Sequence, residues 1–144
     1  MRASTLITLA TASLAAAAPA KQQQSTNEKF SVSNFVFGCT VGCNYYFDVS
    51  YKDAGAHCEG TLDDKDYVKC KATGKKNKAE TLYAYIDTAS DKNELKLQAQ
   101  ITDAKAGSYC NYYGQKQVYA ATSADADKQK ENFKVKNSEA TCVA

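Results

Sequence analysis

From Phe30 onward the chain alternates apolar and polar positions with a period of two, the signature of half-buried strands. Phe30, Val32 and then Phe35 to Phe37 form a first apolar run, and the change of phase at Ser33-Asn34 predicts a bulge. Tyr45, Phe47, Val49 and Tyr51 share one face of a second strand, with Tyr46, Asp48 and Ser50 on the other. Asp53-Ala54-Gly55 reads as a turn, and a short strand around Tyr67-Val68 leads to Cys70. Leu82, Ala84 and Ile86 face one way and Tyr83 and Tyr85 the other. Leu95, Leu97, Ala99 and Ile101 alternate with Lys96, Gln98 and Gln100 in the cleanest strand of the chain. Tyr112 to Ala121 and the short Phe133 to Lys136 complete the set, with turns at Thr73-Gly74, Ser90 to Asn93 and Ala106-Gly107.

This order predicts an all-β protein, an antiparallel barrel or sandwich. One segment departs from it. TSADADKQKE, 122–131, has acids early and lysines late, matching a helix dipole, and predicts a short helix or helical turn.

The first 20 residues have a different pattern: Arg2, an apolar Leu/Ile/Ala run and a small-residue end at Ala18-Pro19-Ala20. That is the layout of a secretory signal peptide cut before Lys21. The polar stretch 21–29 reads as a flexible mature N-terminus, and 30–144 as one secreted domain. Cleavage removes the only arginine and leaves seventeen lysines against sixteen acids. Such a balance favours neither polyanions nor polycations, and no nucleic-acid partner or membrane insertion is expected. Lys75-Lys76 with Lys78 reads as a solvated hairpin turn.

Six cysteines remain: Cys39, Cys43, Cys58, Cys70, Cys110 and Cys142. An even number in a small exported domain reads as a disulfide framework, for which six residues allow 15 connectivities. The preferred one is local: Cys39-Cys43, Cys58-Cys70 and Cys110-Cys142. Zinc fits poorly, because His57 is the only histidine and no paired knuckles occur, and there is no C-x-x-C redox pair. No metal or other cofactor is expected.

Candidate chemistry is sparse. His57 is a possible general base, but no G-x-S-x-G elbow accompanies it, and in a Gly/Ala turn it reads as structural or solvated. Asp63, Asp64 and Asp66 resemble half a calcium loop without its glycine and distal glutamate, and read as an exposed loop. No catalytic residue is assigned. The ten tyrosines are more informative. Alternation turns some of them outward, and Tyr83, Tyr85, Tyr112 and Tyr113 are the candidates for an aromatic recognition surface.

The segments KFSVSNFVFGC, GCNYYFDVSY, DDKDYVKCKA and YYGQKQVYAATSADADKQ, in this order, resemble the small secreted fungal hypersensitive-response-inducing protein elicitors. These belong to the wider family of the Alternaria major allergen. The resemblance covers about Phe30 to Val143. It implies a cysteine-stapled β-barrel, released by a fungus and perceived by plant cells, where members provoke defence or cell death. The expected mode of action is binding to a plant receptor or apoplastic protein rather than catalysis. By position, Cys39 and Cys43 match the family's early close pair, Cys58 and Cys70 its hairpin-bridging pair, and Cys110 with Cys142 forms a late bridge. The cysteine that joins some allergen members into a covalent dimer has no counterpart, so a monomer or non-covalent dimer is expected. The alternative is a small secreted hydrolase, ribonuclease-like or glycosidase-like, although one histidine and no arginine supply that chemistry poorly.

Overall fold

The computed structural model describes residues 28–73 and 80–143. The expected leader over 1–20, most of the expected flexible segment and the Lys75-Lys76-Lys78 cluster lie outside the described residues. Among the described residues nine strands form the fold: β1 (Lys29–Cys39), β2 (Cys43–Tyr51), β3 (Ala54–Thr61), β4 (Val68–Lys69), β5 (Lys71–Ala72), β6 (Glu80–Asp87), β7 (Asn93–Asp103), β8 (Ser108–Val118) and β9 (Phe133–Val143). All pairings are antiparallel, in the order β4-β6-β7-β8-β9-β1-β2-β3-β5. The result is a nearly closed barrel. Lys29, at the end of the segment expected to be flexible, already pairs with Lys136 in β1.

Closure comes from one crossover. Val68 to Ala72 runs between β6 and β3: its first half pairs with β6 at Val68-Ala84 and its second half with β3 at Ala56-Ala72. Cys70 stands where the segment changes partners. Its N–H donates to the Leu82 carbonyl at 2.8 Å, and its sulfur is bonded to Cys58 of β3. The other bridges join Cys39 to Cys43 and Cys110 to Cys142, the latter between directly paired residues of β8 and β9.

The inside of the barrel is filled by side chains. Phe30, Phe47, Tyr45, Tyr51, Leu95, Leu97 and Ile86 are all buried. Strand β2 presents large residues to small ones on β3: Tyr45 opposite Gly60, Phe47 opposite Cys58, Val49 opposite Ala56 and Tyr51 opposite Ala54. This taper explains why AGAHCEGT, with no β-branched residue before Thr61, is a strand and not the expected turn at Asp53-Ala54-Gly55. The chain turns one step earlier, where Lys52 adopts the left-handed conformation (φ 51°). The bulge expected at Ser33-Asn34 is present: the β1-β2 register shifts between Ser33 and Val36, and Asn34 has φ 54°.

Two further strands differ in length from expectation. Strand β8 starts at Ser108 and stops at Val118, and β9 continues through NSEATCV to Val143. The expected helical segment 122–131 contains only a 3-10 turn, Ala126–Lys128, which buries no side chain. Without an apolar face to bury, propensity and dipole complementarity do not sustain a longer helix. The irregular chain from Tyr119 to Asn132 instead lies beside the upper half of β1. Ala121 N–H donates to Phe37 O at 2.8 Å, and Phe35 N–H donates to Glu131 O at 3.0 Å.

Candidate functional site

The outer wall over β6, β7 and β8 carries three rows of side chains fixed by register. Tyr83, Gln98 and Tyr113 form one; Tyr85, Lys96 and Gln115 the next; Thr81, Gln100 and Asn111 the third. Tyr67, just before β4, lies across them: its ring centroid is 4.9 Å from that of Tyr85, edge-on, and 6.1 Å from that of Tyr113. Amides between the rings are held in place. Gln98 Nε2 donates to Asn111 Oδ1 at 3.0 Å, Tyr83 Oη to Gln100 Oε1 at 3.4 Å, and Lys96 Nζ to Gln115 Oε1 at 2.7 Å.

Burial raises the pKa of the Tyr67 hydroxyl above the ordinary phenol value, and the neighbouring Tyr85, Tyr113, Asp66 and Glu139 push it the same way. The Tyr85 hydroxyl is raised by burial and by Asp87, with Lys96 opposing. Both phenols therefore stay neutral donors over the physiological range.

Of the four tyrosines expected on this surface, Tyr83, Tyr85 and Tyr113 are there and Tyr112 is not. Tyr112 pairs with Ala99 and Ala140, both buried on the inner side, and its ring lies 5.3 Å from that of Tyr51. Adjacent residues on a strand face opposite ways, so Tyr112 and Tyr113 could never share a face. Tyr67 was not among the expected four. Its position one residue before Val68, which pairs with Ala84, sets it beside Tyr85.

A second cluster centres on His57, which lies on strand β3 and not in a Gly/Ala turn. Its Nδ1 is 2.8 Å from Asp48 Oδ1 on β2, and Asn34 Nδ2 at the β1 bulge donates to Asp48 Oδ2 at 3.0 Å. His57 Nε2 is 3.8 Å from Glu59 Oε2, and the Tyr46 ring is 6.4 Å away. The Asn34 hydrogen bond, followed by that of His57, lowers the Asp48 pKa below the usual carboxylate value. Among the described residues no hydroxyl hydrogen-bonds to His57 and no group of three or more His, Cys, Asp or Glu could hold a metal ion.

The acids of LDDKDY do not join this cluster. Asp64 Oδ2 accepts from Thr61 N–H at 3.2 Å and Asp66 Oδ1 from Tyr67 N–H at 2.7 Å, so both serve the local turn that leads into β4.

A third feature is the seam where β8 and β9 separate above Gly114 and Asn137. Two clefts of about 330 and 350 Å³ flank the 119–132 segment and share Tyr119, Gln129 and Lys130. Lys116, opposite the buried Leu95, reaches over the Phe133 ring with Nζ 5.3 Å from its centroid.

These features define the class: a disulfide-stapled, nearly closed antiparallel barrel with a filled interior and its distinctive chemistry on the outer wall. Three disulfides in a domain of this size fit an extracellular protein, and among the described residues no helix is long and apolar enough to cross a membrane. Compared with family models, curated proteins and solved structures, the chain matches none.

Proposed function

We propose that the protein is a secreted fungal elicitor or effector that acts by binding, and that the wall formed by Tyr67, Tyr83, Tyr85 and Tyr113 is what a plant receptor or apoplastic protein recognises. The interlocked Tyr67-Tyr85-Tyr113 cluster carries this reading. Tyrosine supplies large contact area with little conformational freedom to lose, and the amides between the rings offer ordered polar contacts. A barrel closed by a covalent bridge keeps such a wall pre-organised, which reduces the entropy lost on association. Export rests on the signal-peptide layout of residues 1–20 and perception by plant cells on the sequence resemblance, and both belong to the same proposal.

The test is infiltration of correctly oxidised protein into leaves, beside the Tyr67→Ser/Tyr113→Ser double variant. The expected result is a defence response to the parent protein and its loss in a variant with unchanged disulfides. Absence of any response to the parent protein counts against the elicitor reading. A full response to the variant removes the tyrosine wall from it.

The Asp48-His57 contact favours one second reading, a small extracellular hydrolase in which Asp48 orients His57 as general base toward a water on the open sheet. Hydrolysis of an RNA or glycan substrate abolished by both His57→Gln and Asp48→Asn, with folding intact, would establish it over the binding reading.

A further inference from the structure

The nearly balanced charge of the chain conceals how its lysines are placed. On the outer side of β9 and β1, Lys136 pairs directly with Lys29, and Lys134 with Ser31, which in turn pairs with Ser50 of β2. Lys52 follows at the end of β2. Together Glu28, Lys29, Ser31, Ser50, Lys52 and Lys134 line a shallow hollow of about 330 Å³, with Lys136 beside it. Glu28 is the only acid in that lining.

Among the described residues none of these four lysines has an ion pair, and the only lysines that do are Lys96, with Glu94 at 2.7 Å, and Lys128, with Asp125 at 3.0 Å. The Lys134 ammonium donates instead to Ser31 Oγ, and Lys52 Nζ lies 4.6 Å from the Tyr112 ring centroid. Like charges set directly opposite on neighbouring strands repel, so the Lys29-Lys136 pair destabilises the sheet unless an anion neutralises it. Glu28 is the one acid lining the hollow, and Asp48, further along the same face of β2, is engaged by Asn34 and His57.

The spacing indicates what kind of anion. Alternate residues on a strand lie about 7 Å apart and neighbouring strands about 4.8 Å apart, so Lys29, Lys134 and Lys136 occupy a grid of positions that includes Ser31 and Ser50, with Lys52 at its edge. An extended chain bearing regularly repeated negative groups and hydroxyls is complementary to such a grid; a single small anion meets only part of it. Lysine contributes point charges and not the planar fork that reads phosphate bidentately, and the described residues contain no arginine. No aromatic residue lines the hollow, so it offers no platform for stacking bases; the rings near Lys52, Tyr51 and Tyr112, pack against each other on the inner side. The three bridges fit an extracellular setting, where acidic polysaccharides occur as extended polyanions.

We propose that the β9-β1-β2 face is a binding site for a carboxylated polysaccharide, a polyuronate chain, held by Lys29, Lys52, Lys134 and Lys136. The site is separate from the tyrosine wall and does not depend on it.

Titration of the full, oxidised protein with polygalacturonate of defined length tests the proposal. Two comparison probes are its fully methyl-esterified form and a single-stranded oligodeoxynucleotide of equal charge. Binding to polygalacturonate is expected at low salt, lost on esterification and weakened about tenfold or more between 50 and 200 mM salt. The triple variant Lys29→Gln/Lys134→Gln/Lys136→Gln is expected to weaken it about tenfold or more. The control triple Lys69→Gln/Lys92→Gln/Lys105→Gln, away from this face, is expected to stay within about twofold. All six positions are exposed, and unfolding midpoints verify that the variants keep the fold. No binding at low salt, equal weakening in both triples, or tighter binding of the oligonucleotide would each overturn the proposal.

Discussion

Cys58 and Cys70 are bonded across the one place where the barrel's two sheet ends meet. Cys70 lies between β4, which belongs to one end, and β5, which belongs to the other, so its sulfur ties the closure to β3 while its N–H holds Leu82 of β6. The loop it seals is short, with a sequence separation of 12, and the chain-entropy model assigns such a loop about 3 kcal/mol. The Cys39-Cys43 bridge, with a separation of 4, is worth about 2 kcal/mol on the same basis. Denaturant unfolding of Cys58→Ala/Cys70→Ala and Cys39→Ala/Cys43→Ala checks this. The first pair is expected to lose more stability, and to give the larger rise in hydrogen exchange at the Leu82 and Ala84 amides. Equal losses with no local change would show that the ladder closes the barrel without the bond.

Gly114 sits at the register shift between β8 and β9, against the centre of the core. A Cβ there would lie 3.0 Å from Lys136 O and 3.0 Å from two atoms of the Phe30 ring. Phe30 has no accessible surface, and its ring lies 4.4 Å from that of Tyr51, so it has little room to yield. Gly114→Ala is expected to destabilise by about 1–3 kcal/mol, as overpacking does. Gly38→Ala, where a Cβ meets nothing within 4 Å, serves as the comparison and is expected to change stability by less than about 0.5 kcal/mol. Thermal unfolding of the two variants decides between them.

Much of this architecture is legible in the sequence because large side chains alternate where a strand faces a filled interior. Strand β7, with Leu95, Leu97 and Ala99 buried and Lys96, Gln98 and Gln100 between them, shows its faces directly. Strand β3 does not, because Ala54, Ala56 and Cys58 are buried for being small enough to fit opposite Tyr51, Val49 and Phe47. That complementarity is a property of the pair and is invisible in either segment alone. The Asp48-His57 contact was hidden with it, since it exists only through the β2-β3 register. The tyrosine wall was legible at Tyr83 and Tyr85, and at Tyr113 once alternation separates it from Tyr112. Tyr67 and the Lys29-Lys136 pairing depend on long-range neighbours that composition and periodicity do not specify.

Asp48 makes the native state sensitive to acid. Asn34 and His57 both hydrogen-bond its carboxylate and hold its pKa below the ordinary value. A lowered native pKa means that the unfolded chain takes up the proton first as pH falls. The stabilisation is therefore complete above the unfolded carboxylate value and is lost as pH drops through the native one. Asn34→Gly keeps a residue tolerant of the left-handed backbone at φ 54° while removing the amide. The Asp48 pKa, followed by carboxyl NMR, is expected to rise in this variant, and its unfolding midpoint to become less dependent on pH below about pH 4. An unchanged pKa would assign the shift to His57 alone.

Tyr45 gives the complementary signal in base. Its hydroxyl is buried without a hydrogen-bond partner among the described residues, and burial, then the charge of Asp64, pushes its pKa up to about 12. A raised native pKa in a phenol favours the neutral form in the folded protein. Its contribution is full below the unfolded value of about 10 and disappears as pH rises through the native one. Ultraviolet titration of the phenolate is expected to show a late-ionising component that Tyr45→Phe removes. Asp64→Asn is expected to move that component to lower pH without abolishing it, because burial is the larger cause. A Tyr45 that ionises with the exposed tyrosines in the folded state would mean that water reaches its hydroxyl beside Gly60, where a Cβ would lie only 2.6 Å from that oxygen.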